Sequence, residues 1–178
     1  SVHEFSHAYA AYRLGDPTAK NLGRLTINPL KHLDPFGTLC MIFFHFGWAK
    51  PVPVNMLNFK NPKKGMALTA LAGPLSNILI TVVALFIYGA LFIPLGGSMA
   101  GGHILHLFEL VAYISLGFAV FNMLPFPPLD GSKIVFSLMS DEKYDKLMQY
   151  EFYGGIILFA LMLMIYVSFV KVYGGFMV

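Results

Sequence analysis

The stretch MALTALAGPLSNILITVVALFIYGALFIPL, residues 66–95, contains no Asp, Glu, Lys or Arg. About 20 apolar residues in a helix cross the hydrocarbon core of a bilayer, so this stretch predicts a membrane-spanning helix. Two further runs of low charge extend from about 104 to 129, where prolines interrupt the far end, and from about 152 to 170. Lipid offers the backbone no hydrogen-bond partners, and the runs do not alternate as barrel strands do, so we expect helices throughout.

The composition of the whole chain also indicates a membrane protein. Of its 178 residues, 57% are hydrophobic and 12% are charged, whereas a soluble domain carries about 25% charged residues. We therefore predict an all-α polytopic membrane protein, a transmembrane helix bundle in a lipid bilayer, with residues 1–178 forming a single core. The net charge of +3 comes without a basic run interleaved with aromatic residues, so no nucleic-acid partner is expected.

The segment 17–64, between the first motif and the first long apolar run, has a different character. Its short apolar runs 23–27 and 52–56 suit strands or extended chain, bounded by glycines and prolines. Residues 36–48 are apolar but too few to span, which favours a re-entrant or interfacial segment. We thus expect a short β, extended or re-entrant region between the first and second core helices.

The lysines indicate an orientation in the membrane. Lys60, Lys63 and Lys64 precede the first long run and further lysines lie within 131–151, whereas the connection 96–102 is uncharged. Positively charged connections tend to remain in the cytoplasm. Both lysine-bearing segments are therefore expected on the cytoplasmic side, together with the motifs near them.

A metal-binding pattern opens the chain. His3-Glu4-Phe5-Ser6-His7 fits H-E-x-x-H, and on a helix the two imidazoles share one face while the glutamate reaches the same site. Zinc lowers the pKa of water to about 7, and a nearby carboxylate accepts the proton during hydrolysis. The alternative is a solvated cluster at a helix end, but ionisable residues in so apolar a chain indicate function.

Catalytic zinc usually has three protein ligands, so a third must come from elsewhere. Cys40 is the only cysteine, which leaves His, Asp or Glu. Asp130 follows a proline-rich break at the expected end of a membrane helix, where irregular backbone can line a polar cavity. Asp34 has a comparable setting beside Pro35. The local sequence therefore favours Asp130 as the third ligand but leaves Asp34 as an alternative.

The chain resembles the site-2 proteases, which are intramembrane zinc metalloproteases, and especially their compact bacterial and archaeal members. Three motifs carry the resemblance, in the family's order: His3, Glu4 and His7 in H-E-x-x-H; Gly73, Pro74 and Asn77 in G-P-x-x-N; and Asn122, Pro125, Pro127, Asp130 and Gly131 in N-x-x-P-x-P-x-x-D-G. The resemblance implies one Zn2+ bound by His3, His7 and Asp130, with Glu4 as general base.

The resemblance also implies a function and a location. The expected activity is hydrolysis of peptide bonds in or near transmembrane segments of membrane proteins, at a prokaryotic cell membrane with the site toward the cytoplasm. A non-proteolytic membrane protein that binds or transports divalent metal is the alternative. The family's first core helix continues upstream of the motif, so residues 1–178 are expected to lack its N-terminal part.

Two asparagines are further candidates. The resemblance suggests that Asn77 faces the site and orients substrate or stabilises the oxyanion, whereas a hydrogen bond between helices is the alternative. Asn122 is expected either to hold the substrate backbone or to cap the broken helix. An unwound substrate could pair with a strand edge at 23–27 or 52–56.

Overall fold

The computed structural model describes the backbone of residues 1–45 and 47–173, and the side chains of these ranges except 152 and 169–173. Eight α-helices lie in the described part: α1 (Val2–Arg13), α2 (Thr18–Asn21), α3 (Pro35–Phe44), α4 (Pro62–Leu95), α5 (Met99–Asn122), α6 (Asp130–Ser137), α7 (Asp141–Gln149) and α8 (Glu151–Tyr173). Single 3-10 turns occur at Pro29–Lys31 and Met56–Asn58. The all-α prediction is confirmed.

The long apolar run at 66–95 forms the centre of α4. This helix starts four residues earlier, because Pro62 suits a first helical position and the Asn61 side chain accepts a hydrogen bond from the backbone N–H of Lys64. Both α4 and α5 are long and apolar enough to cross a membrane, yet only 11% and 17% of their most apolar windows are buried. Their outer faces therefore suit lipid rather than water.

The second and third apolar runs correspond to α5 and α8 with different limits. The run 104–129 becomes α5, which begins at Met99 and ends at Asn122, because the prolines at 125, 127 and 128 cannot continue a helix. The run 152–170 lies within α8. Across a bend of 50°, α7 and residues 153–168 of α8 can form one further span.

The segment 17–64 is irregular and helical rather than β. The described residues in 23–27 and 52–56 form no strand, and the β contact in this region is a single antiparallel bridge between Leu33 and Ala49. A side chain, rather than a partner strand, binds the backbone here: Arg24 donates to the backbone oxygen of Lys50 at 2.7 Å. Prolines 51 and 53 have no N–H to donate to a neighbouring strand. The apolar part of 36–48 forms the short helix α3.

The polar connection 131–151 is mostly helical. It contains α6 and α7, which are joined to the start of α4 where Lys63 donates to Asp141 at 3.0 Å. Lys133 also pairs with Glu151 at 3.0 Å. Both lysine-bearing segments thus meet at one end of α4.

The core is built around α4, which packs against α5, α1 and α6. Small side chains allow the close approach of α1, since Ala8, Ala11 and Ala70 are almost completely buried. Glycine and alanine at such contacts let helix backbones approach closely. The N-terminal motif and Asp130 are therefore brought to the same half of α4.

A buried carboxylate fixes the exit from α1. Asp16 is fully buried and accepts hydrogen bonds from the backbone N–H and hydroxyl of Thr18, the backbone N–H of Asn55 and the amide of Asn58. Burial raises the pKa of Asp16, but the hydrogen bonds outweigh it and the net pKa lies below the ordinary value. Asp16 thus ties α1 to the segment that leads into α4.

We expect Asp16→Asn to destabilise the fold by about 1–3 kcal/mol, because an amide nitrogen replaces an oxygen that accepts buried hydrogen bonds. Because folding lowers the pKa of Asp16, its contribution to the free energy of unfolding depends on pH. The contribution is complete above the unfolded pKa of about 4 and is lost as the pH falls through the lower folded pKa. Thermal unfolding in detergent micelles should show the difference from the parent at pH 6 and a smaller one at pH 3. The exposed Asp145→Asn is the control, and an equal effect there would contradict this role of Asp16.

Candidate metal centre

Helix α1 presents the two histidines of the H-E-x-x-H motif side by side. Positions 3 and 7 lie one turn apart, and the Nε2 atoms of His3 and His7 are 3.0 Å from each other. The rings meet edge to face with centroids 4.6 Å apart. Two nitrogens with lone pairs thus point toward one place.

Asp130, the first residue of α6, completes the group. Its Oδ2 lies 3.1 Å from Nε2 of His3 and 3.3 Å from Nε2 of His7. These are the three residues that the described part of the chain places together as a group of metal-ligand type.

The three separations fit a bound ion. Ligands about 2.0 Å from a tetrahedral zinc are about 3.3 Å from one another, and the observed distances are 3.0, 3.1 and 3.3 Å. The buried Oδ2 of Asp130 also has no hydrogen bond of acceptable geometry, although both rings are near it. A cation at the convergence point would satisfy that oxygen.

The electrostatics favour an ionised Asp130. Burial raises the pKa of this carboxyl, but the interactions with His3 and His7 outweigh burial and hold the pKa well below its ordinary value. A carboxylate is the form that binds metal. The side chains of His3, His7 and Asp130 are 17%, 10% and 13% exposed, so the group is mostly buried and still open to water.

Glycines fix the turn that presents Asp130. A Cβ on Gly131 would overlap the backbone carbonyl of Met123 at the end of α5. A Cβ on Gly154, in the first turn of α8, would lie 2.6 Å from the backbone oxygen of Pro127. The proline-rich turn is thus packed between α5 and α8.

The opposite sides of the two imidazoles face α4. Nδ1 of His7 donates to the backbone oxygen of Thr69 at 2.7 Å when Nε2 is the ligand atom, and Nδ1 of His3 lies 3.1 Å from the side-chain amide nitrogen of Asn77. Between them, a Cβ on Gly73 would overlap both rings. Metal-binding histidines almost always use their second nitrogen in this way.

The sequence indicated part of this arrangement. Asn77 is predicted to contact substrate or to form a hydrogen bond between helices, and its described contact, with His3 of α1, is of the second kind. The Thr69 contact was missed because it uses a backbone oxygen, which leaves no signal in residue type.

Glu4 lies between the two histidines and is partly exposed. No hydrogen bond or ion pair of its carboxylate occurs among the described residues. Its carboxylate is therefore not bound by another described side chain.

Other candidate residues lie outside the group. Asp34 accepts a hydrogen bond from the backbone N–H of Gly37 at 2.8 Å and caps α3. The Asn122 amide donates to the backbone oxygen of Phe118 at 3.0 Å, within its own helix. His32, a possible ligand by residue type alone, also lies outside the group, and its Nε2 lies 2.7 Å from the backbone oxygen of Thr26 in a local turn.

The contact at Gly73 generates a prediction. Gly73→Ala should displace both imidazoles and lower zinc affinity by at least about tenfold, the lower end of the effect of outer-shell changes. Zinc retention after dialysis against a chelator measures this. Gly89→Ala is the matched control on the same helix, because a Cβ there meets no atom within 4 Å; equal zinc retention in the two variants would contradict the prediction.

The contact at Gly154 generates another. Gly154→Ala should push α8 from the Pro127 turn, shift Asp130 and reduce zinc retention, whereas Gly155→Ala should not, since its Cβ would lie 3.9 Å from the Pro128 ring. Zinc content and thermal unfolding of the two variants, measured in parallel, check this. Unchanged zinc content in Gly154→Ala would show that α8 does not support the turn.

Comparisons with known proteins identify the family of the chain. The model of Peptidase family M50 matches residues 89–167. The chain is 42% identical over 164 residues to the "Putative zinc metalloprotease YwhC" of Bacillus subtilis (strain 168), covering 90% of this chain and 74% of that protein. It is 30% identical over 134 residues to the "Putative zinc metalloprotease Rip2" of Mycolicibacterium smegmatis, covering 73% of this chain and 50% of that protein.

A similar relative is the "Putative zinc metalloprotease Rip2" of Mycobacterium tuberculosis (strain ATCC 25618 / H37Rv), 30% identical over 136 residues, which cover 73% of this chain and 50% of that protein. No solved structure gives a significant match. The site-2 protease resemblance is confirmed, and so is the expectation of a zinc-dependent protease. The chain belongs to peptidase family M50, the family of the site-2 proteases, and is a zinc metalloprotease.

Proposed function

We propose that the protein is an intramembrane endopeptidase that hydrolyses peptide bonds in or near transmembrane segments of other membrane proteins. The observation that carries the proposal is the convergence of the ligand atoms of His3, His7 and Asp130 beside helices long enough to span a bilayer. A protease site against such helices suits a substrate that arrives through lipid.

In this proposal His3, His7 and Asp130 hold one zinc ion. The bound ion supplies Lewis-acid activation of water and of the scissile carbonyl. The three side chains keep the ion at the half-buried end of α4, where the exposed fractions of 10–17% leave a path for water.

Glu4 is the general base of the proposed reaction. Its carboxylate takes a proton from the attacking water and then passes it to the nitrogen of the leaving amine. Attack by water forms no bond between protein and substrate. Helical carbonyls of a substrate are already hydrogen-bonded, so the substrate must be extended before Glu4 can act.

The proposed site is toward the cytoplasm of a prokaryotic cell membrane. The lysines support this orientation, since Lys63 at the start of α4 and Lys133 in α6 lie on elements that meet near the metal group. Positively charged segments tend to remain cytoplasmic. Water and released product would then have direct access to the cytoplasm.

The rival function of carrying metal across the membrane gains no support from the geometry. A carrier needs polar groups along a path through the bilayer. The metal-ligand group of the described residues instead lies against the first half of α4, and Glu4 of the same motif is a residue type suited to proton transfer.

The decisive variant is Glu4→Gln, which keeps the size of the side chain and removes its ability to accept a proton. We expect zinc to remain bound while cleavage of a single-span membrane protein, co-reconstituted in phosphatidylethanolamine/phosphatidylglycerol vesicles, falls by at least about 100-fold. Cleavage is followed by gel electrophoresis, and zinc by elemental analysis.

Glu142→Gln, on an exposed position of α7, is the control and should cleave as the parent does. Full cleavage by Glu4→Gln would sink the proposed mechanism. Loss of zinc from Asp130→Ala, with zinc retained in Asp34→Ala, tests the third ligand by the same analysis.

A further inference from the structure

One face of α4 lies against both zinc-binding histidines. Thr69, Gly73 and Asn77 follow one another at intervals of four residues, and residues at this spacing share a helix face. Thr69 contacts His7 and Asn77 contacts His3, with Gly73 between them. The two ends of this face therefore contact different imidazoles.

Asn77 is poorly placed to meet a substrate. Asn77 is only 6% exposed, and its amide nitrogen lies 3.1 Å from Nδ1 of His3, the ring nitrogen that does not face His7 and Asp130. The side chains of His3 and Asp130 are more exposed, at 17% and 13%. A buried amide in an apolar helix needs a hydrogen-bond partner, and His3 supplies one.

The chemistry of His3 determines which amide atom must face it. A neutral imidazole carries one proton, on either Nδ1 or Nε2. If the amide nitrogen donates to Nδ1, the proton is on Nε2, which then cannot bind a metal. If the amide oxygen accepts from Nδ1–H, Nε2 keeps its lone pair and points toward His7 and Asp130.

We propose that Asn77 is a positioning residue that acts through His3: its amide oxygen accepts the Nδ1 proton and so holds His3 in the tautomer that binds zinc. The structure places the amide nitrogen at this contact, and rotation of the amide by 180° brings the oxygen to the same position. The inference rests on the proposed role of His3 as a ligand. It differs from substrate binding because it concerns the affinity of the apo protein for metal.

Two substitutions test whether Asn77 acts on Nδ1 of His3 as a hydrogen-bond acceptor or as a donor. Asn77→Leu removes both, and we expect zinc affinity to fall by about 10- to 100-fold, the range typical of lost outer-shell partners. Asn77→Asp keeps an oxygen that accepts from Nδ1–H and removes the amide donor, so it should retain zinc affinity close to that of the parent. Loss of an oxyanion donor would instead impair cleavage in both variants and leave zinc affinity unchanged in both.

Thr81→Val is the matched control for loss of a buried polar group in α4. Thr81 lies one turn beyond Asn77, is 6% exposed, and donates to the backbone oxygens of Asn77 and Ala112 without contacting the histidines. Its replacement should lower the unfolding temperature and leave zinc affinity unchanged. A merely structural role for Asn77 would give the same result for Asn77→Leu.

The measurement is a titration of the apo protein in detergent micelles with Zn2+ in competition with a fluorescent chelator, supplemented by the visible absorption of bound Co2+. Weak zinc binding by Asn77→Leu, rescued in Asn77→Asp, supports the proposal. Parental affinity in Asn77→Leu, equal weakening in Asn77→Asp, or equal weakening in Thr81→Val overturns it.

The same titration keeps this inference apart from the proposed function. Unchanged affinity in His3→Ala would remove the ligand assignment on which both depend. Cleavage retained by Glu4→Gln would instead overturn the proteolytic mechanism and leave the zinc affinities of the Asn77 variants as an independent result.

Discussion

The packing of the His3 and His7 rings directly on α4 at Gly73 is the contact on which the metal centre depends. A side chain at position 73 would occupy the space of both rings, so the missing Cβ lets α1 approach α4. With the rings in that position, their Nδ1 atoms meet Thr69 and Asn77 and their Nε2 atoms meet Asp130. The contact of α1 with α4 at Gly73 thus orients all four ring nitrogens.

Burial makes these contacts more effective. Thr69 and Asn77 are only 3% and 6% exposed, so water hardly competes for the hydrogen bonds that hold the imidazoles. The side chains of His3, His7 and Asp130 remain 10–17% exposed, so water can reach them. A membrane-spanning helix can therefore bind the Nδ1 atoms of both rings while water still reaches the site.

The sequence predicted the elements better than their connections. Long uncharged runs identify α4 and α5, because only helices satisfy the backbone in lipid, and H-E-x-x-H identifies the face of α1. The segments 23–27 and 52–56 have the apolar content of strands, but Arg24 and Asp16 bind the backbone there through side chains. Such distant pairings, like the contact of Thr69 with His7, cannot be inferred from local pattern.

The residues beside Asp34 and Asp130 distinguish the two carboxylates, although their charge does not. Asp34 precedes Pro35, and a carboxylate followed by proline is typical of an N-cap, whose oxygen is used by the backbone of the helix; it indeed accepts from Gly37. Asp130 instead lies inside α6, after Leu129, which supplies no side-chain cap. Its carboxylate is therefore not used by the helix start, while the partial positive charge there favours the ionised form. A carboxylate that is ionised, buried and free of its own helix can turn toward two imidazoles, and Asp130 is placed to do so.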